Sequence, residues 1–136
     1  MNIITALIAL IFFVSVACAD DVSDVDRMLC SQSRVLVCMH GVDCIAVEPA
    51  KVSTPQFVIV DTRRKTIATT KASGEDRKSE FSSLIREGGL IIAQGRDDER
   101  SFSFVIDERT GTLTGSTVSD GYTLSAFGAC TDASVK

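Results

Sequence analysis

With no tryptophan, one tyrosine and one histidine among 136 residues, this chain has little to offer a stacked ligand or a proton-transfer reaction. Beyond residue 19 its aromatics are five phenylalanines and Tyr122. That is too few for sugar or nucleobase stacking to be its main business. Asparagine occurs only at Asn2, so there is no Asn-x-Ser/Thr glycosylation acceptor. The net charge is −4. Nucleic acid wants a basic face, and anionic lipid wants a polybasic segment; neither is present. No Cys-x-x-Cys exists to support a redox role. No Gly-x-Ser-x-Gly exists either, since the frame Gly111-Thr-Leu-Thr-Gly115 lacks the serine. After residue 19 no apolar run approaches the roughly 20 residues that span a bilayer.

What is present begins at the start of the chain. Residues 3–17 are almost wholly apolar, and the sequence then reads Ala17-Cys18-Ala19-Asp20-Asp21. An apolar core, a small-x-small site and an abrupt switch to acid predict a signal peptide over 1–19. The protein is then periplasmic or secreted, and its cysteines are in an oxidising compartment. A lipid anchor on Cys18 is the alternative. Lipid attachment wants a large aliphatic residue three positions earlier, where Ser15 stands. Membrane association is expected only in that case.

Residues 20–130 are expected to form one domain, with 20–28 a loose lead-in and 131–136 a C-terminal tail. Short β-type runs alternate with turn signals every eight to twelve residues. Val35, Leu36 and Val37 precede a turn at His40-Gly41-Val42-Asp43. Phe57-Val58-Ile59-Val60 reads as a strand buried on both faces. Residues 65–70 read as a more polar, edge-like strand. Residues 79–87 are open between helix and strand, because Phe81, Leu84 and Ile85 carry helical spacing. The Gly88-Gly89 pair that follows favours a strand and a hairpin. Phe102, Phe104 and Ile106 alternate with Ser101, Ser103 and Val105, which predicts one face in the core and one outside. Gly111 and the pair Asp120-Gly121 are hairpin turns. The fold class is all-β: a single small antiparallel meander of about eight short strands, either barrel-like or a two-layer sandwich.

Four cysteines remain beyond Cys18, and they allow three pairings. Cys38 and Cys44 flank a tight turn between runs that should pair, which brings them within disulfide range. That leaves Cys30 with Cys130, tying the first strand to the last. Zinc would want pairs spaced by two to four residues, and the spacings here are eight, six and 86. No metal or other cofactor is expected.

The remaining candidates have simple structural readings. His40 could act as a general base, but that needs an orienting acid and an oxyanion site. Its place in a turn between two cysteines makes it an exposed loop residue. Asp107-Glu108 initiates a turn, because neighbours in a strand point to opposite faces. Asp97-Asp98-Glu99 lacks a calcium-loop pattern and reads as a solvated hairpin tip. Arg63-Arg64-Lys65 is a charged turn that discourages aggregation.

Three stretches carry a resemblance. They are Cys30…Cys38…Cys44, then Phe57-Val58-Ile59-Val60-Asp61, and last the run Phe104–Gly115 with Phe127-Gly128-Ala129-Cys130. Together they resemble a loose group of small secreted proteins of unknown function from proteobacteria. The resemblance implies a periplasmic or secreted β-domain and carries no activity over. In architecture the chain also resembles the small periplasmic lysozyme inhibitors, compact β-barrels with a disulfide. Their Ser-Gly-x-x-Tyr loop is absent here.

The function expected is that of a non-enzymatic binding or inhibitor module, its target unknown and open to an envelope or extracellular protein. The alternatives are an envelope hydrolase using His40 and a passive envelope component. A filled core would favour binding at the surface, and a hollow barrel would favour carriage of a small ligand.

Overall fold

The computed structural model describes residues 20–134. The segment 1–19, with Cys18, and residues 135–136 lie outside the described residues. Nine antiparallel strands follow in order: β1 (Arg27–Met39), β2 (Ile45–Val47), β3 (Phe57–Asp61), β4 (Thr66–Thr69) and β5 (Lys78–Glu87), then β6 (Leu90–Asp97), β7 (Arg100–Asp107), β8 (Thr112–Ser119) and β9 (Tyr122–Asp132). Two 3₁₀ turns, Pro49–Val52 and Lys71–Ser73, interrupt the loops. The ladder runs from β1 through β3 to β9, and β9 pairs back with β1. Eight strands therefore close a barrel, and β2 is an added ninth.

β1 makes this possible by its length. Its first half, Arg27 to Ser31, pairs with β3, and its second half, Val35 to Val37, pairs with β2. Its other edge pairs with β9 from Met28↔Asp132 to Met39↔Tyr122. A bulge between Gln32 and Arg34 breaks that register, and bulges bend a strand and increase its twist. The two disulfides follow from the same geometry. Cys30 lies directly opposite Cys130 across the seam, with Cα atoms 4.0 Å apart. Cys38 and Cys44 flank the β1–β2 turn at 4.2 Å. Two disulfides fit an oxidising, extracytoplasmic compartment.

Turn chemistry sets the hairpins. Gly111 and Gly121 have φ of 65° and 81°, a region closed to most side chains. Gly88 and Gly89 both take positive φ and join β5 to β6. Residues 79–87 are thus strand, not helix. The spacing of Phe81, Leu84 and Ile85 is the trace of a bulge between Phe81 and Ser83, which shifts the inward face by one residue.

The structure differs from the sequence expectations in four places. The run 57–60 is not buried on both faces: Val58 and Val60 are buried, while Phe57 is exposed and Ile59 half-buried. A barrel wall is a single sheet, so every strand has an outside. β4 is not an edge, since it pairs with both β3 and β5; the strand with a free edge is β2. β9 continues to Asp132, so the tail begins at Ala133. The lead-in is not loose. The Val22 amide donates to the Glu108 carbonyl, and the Val22 side chain is fully buried. Arg86 donates to the Val25 carbonyl at 3.0 Å and pairs with Glu108. This segment crosses and closes one end of the barrel.

Candidate functional site

Register decides which side chains face the barrel axis, and their size decides what is left between them. Toward the closed end the inward positions carry bulk. Met28, Val60, Ile91 and Ile106 are fully buried, with Val22 set among them. Burying each such side chain contributes about 1.5–3 kcal/mol. Toward the other end the inward positions are small. Gly115 pairs with Ala126, and Thr117 with Leu124. Gly95 faces Phe102, whose ring takes the space of the missing side chain: a Cβ there would stand 2.4 Å from it. The small side chains of Gly115, Thr117 and Ala126 leave a cup of about 140 Å³, walled by Val58, Ile67, Phe102, Phe104, Leu124 and Ala126. Phe81 stacks edge-on against Phe104 and Phe102, with centroids 5.3 and 6.2 Å away. This fixes the rings that form one wall.

The mouth of the cup is polar. Arg77 lies just before β5, Asp97 ends β6 and Arg100 begins β7; all three line the cup. Asp97 Oδ2 accepts from Arg77 Nη2 and from Arg100 Nη2, each at 3.2 Å. Two guanidiniums thus share one carboxylate. Arg77 Nη1 also donates to the Ser53 carbonyl at 2.9 Å. Gln32 Nε2 donates to the Pro55 carbonyl at 3.0 Å. These bonds strap the segment 53–55 beside the mouth.

A second depression, of about 420 Å³, lies at the closed end among Asp24, Asp26, Asp61, Arg63, Arg64 and Asp132. Several of its charges are paired: Arg63 with Asp26, which the neighbouring Arg86 also approaches, and Arg64 with Asp61. Val25 also lines it, beside these ion pairs. The basic run at 63–65 is therefore a turn whose arginines are matched locally.

The other sequence candidates are placed plainly. His40 is exposed in the turn between Cys38 and Cys44, at the open end. Asp107 ends β7 at the closed end. The fold does not bring the two together. Asp107 Oδ1 accepts the amides of Arg109 and Thr110, both at 3.0 Å, and so initiates the turn. Asp98 and Glu99 form the exposed β6–β7 tip, while Asp97 points to the arginines. Among the described residues no three His, Cys, Asp or Glu side chains are grouped to hold a metal ion.

The Thr110 amide bond, with the Arg109 amide behind it, holds the Asp107 carboxyl below its usual range. Ser23 does the same for Asp21, and Ser134 for Asp132. A carboxyl lowered on folding stabilises the fold fully above its unfolded value of about 3.9, and that contribution is lost as pH falls through the lower folded value. Carboxyl NMR titration should therefore place Asp107 below a free aspartate. Asp107→Asn should remove part of the loss of stability on acidification. A midpoint at or above that of free aspartate would refute this account of the turn.

The residues that sequence reasoning missed are those of the cup. The signal available was the register: small residues at inward positions of adjacent strands, Gly115, Thr117 and Ala126, with inward charges at both ends of the β6–β7 tip. No protein family, curated protein or solved structure matches this chain.

Proposed function

We propose that this is an extracytoplasmic binding module, periplasmic or secreted, that works by binding and not by catalysis. Its site is the cup at the barrel mouth. One observation carries the reading: a barrel filled and closed at one end has small residues at its inward positions at the other, leaving a walled apolar recess. Small closed barrels hold one small ligand in this way. Two features support binding over chemistry. His40 and Asp107 stand at opposite ends of the fold, and at the mouth Arg77 and Asp97 are tied to each other, to Arg100 and to the Ser53 carbonyl. The resemblance to small secreted proteobacterial β-domains agrees with this compartment.

The test is amide NMR with 1-octanol as a neutral probe. Shifts should gather on Val58, Phe102, Phe104 and Leu124. Ala126→Leu, which fills the cup from β9, should abolish them while the rest of the spectrum stays folded. Thr117→Leu fills it from β8 if the first variant disturbs the seam. Shifts scattered over the outer wall, or unchanged in both variants, would overturn the reading.

A further inference from the structure

We infer that the cup takes a small amphiphilic anion: one ring-sized or short-chain apolar group against Phe102, Phe104 and Leu124, with a carboxylate head at Arg100. This rests on the reading of the cup as the binding site.

Size sets the apolar part. An apolar cavity of about 150 Å³ accepts a benzene ring, and the cup here is about 140 Å³ with an open mouth. That admits a ring or a few methylenes, and lets the rest of a chain reach solvent. It does not admit the two chains of a membrane lipid. The walls also exclude a ligand that is polar throughout, because its buried groups would lose water without finding partners.

The donors at the mouth set the head. A guanidinium offers five N–H groups and no acceptor. Arg77 is committed, with Nη1 on the Ser53 carbonyl and Nη2 on Asp97. Arg100 is different. Among the described residues its guanidinium bonds Asp97 alone, through Nη2. Its other N–H groups have no partner among these residues and reach solvent at the mouth, the side chain being 26% exposed. Gln32 Nε2 is spent on the Pro55 carbonyl. The mouth is therefore rich in donors, and a carboxylate is a pure acceptor able to take two parallel N–H bonds. Arg77 is further matched by Glu75, 3.7 Å away, so the guanidinium with a single, shared partner at the mouth is that of Arg100. At a partly shielded site its charge acts more strongly than it would in open water.

The experiment compares octanoate with 1-octanol on the purified protein, by amide NMR titration at low salt. Octanoate should bind about tenfold tighter, as a charged hydrogen bond would give. Arg100→Gln should lower the octanoate affinity about tenfold and bring the two probes level. Arg100→Lys, which keeps the charge and loses the fork, should fall between. Equal affinity of wild type for the two probes would overturn the anionic head and leave the cup standing as the site. A preference that survives Arg100→Gln would overturn the role of Arg100. Absence of cup shifts with either probe at millimolar concentration would overturn the cup itself.

Discussion

Replacing both Cys30 and Cys130 with alanine should lower the unfolding free energy by about 4–5 kcal/mol, on the chain-entropy account of a loop of this length. The two residues are 100 positions apart in sequence, so the bond removes a large part of the freedom of the unfolded chain. A small domain has about 5–15 kcal/mol in total, so the loss takes a large share of it. The bond can be lost only once. Cys30→Ala and Cys130→Ala should therefore each cost nearly as much as the pair. The Cys38–Cys44 bridge spans six positions, and its loss should cost about 2 kcal/mol. Urea unfolding of the singles and the double provides the measurement. Additive losses at Cys30 and Cys130 would mean that each acts on its own, and the seam would not depend on the bond.

The second large effect is steric. Gly128 lies on β9 where it passes the bulge of β1, and its backbone is so close to the partner strand that a Cβ would sit 1.8 Å from the Ser31 carbonyl oxygen. The next atoms are also backbone, the Ser31 carbonyl carbon at 2.8 Å and the Gln32 Cα at 3.1 Å. No rotamer can relieve this. Gly128→Ala should cost about 3 kcal/mol, at the upper end of ordinary overpacking, because the seam itself has to part. Gly121→Ala provides the contrast. A Cβ there meets nothing within 4 Å, but φ is 81°, so its cost of about 1–2 kcal/mol is purely conformational. Thermal unfolding of the two variants should separate them. A Gly128→Ala protein as stable as Gly121→Ala would show that β1 and β9 separate at the bulge at no more than the cost of one strained turn residue.

Much of this architecture was legible in the sequence, for identifiable reasons. The alternation through Phe102, Phe104 and Ile106 is the pleat itself, and the glycines at 111 and 121 sit where the backbone needs positive φ. Cysteine spacing ranked first the pairing that the fold contains. The unread parts were those where the pleat carries no contrast. Residues 27–32 are a strand, but Leu29 faces outward while Gln32 and Ser33 lie at a bulge. Residues 94–97 extend β6, but the inward residues there are Gly95 and Asp97, neither of them apolar. The lead-in looked loose because two spaced valines are a weak pattern, and its anchor, Arg86, lies more than sixty residues away. The cup escaped notice for a related reason. A recess is made by what side chains do not fill, and Gly115 or Ala126 leaves no mark until its strand has a register.

The seam also orders events in time. Every neighbour in the ladder from β3 to β9 is also the next strand along the chain, so those hairpins can form as the polypeptide is delivered. β1 is the exception, since its longest partner is the last strand. Until Tyr122–Asp132 arrives, the first strand has one long edge without a mate, and an unmated edge will pair with another chain. Closure is thus a late event that waits on the far end of the polypeptide, and contacts of such long range form slowly. In an oxidising compartment the Cys30–Cys130 bond can lock the two ends the moment they meet.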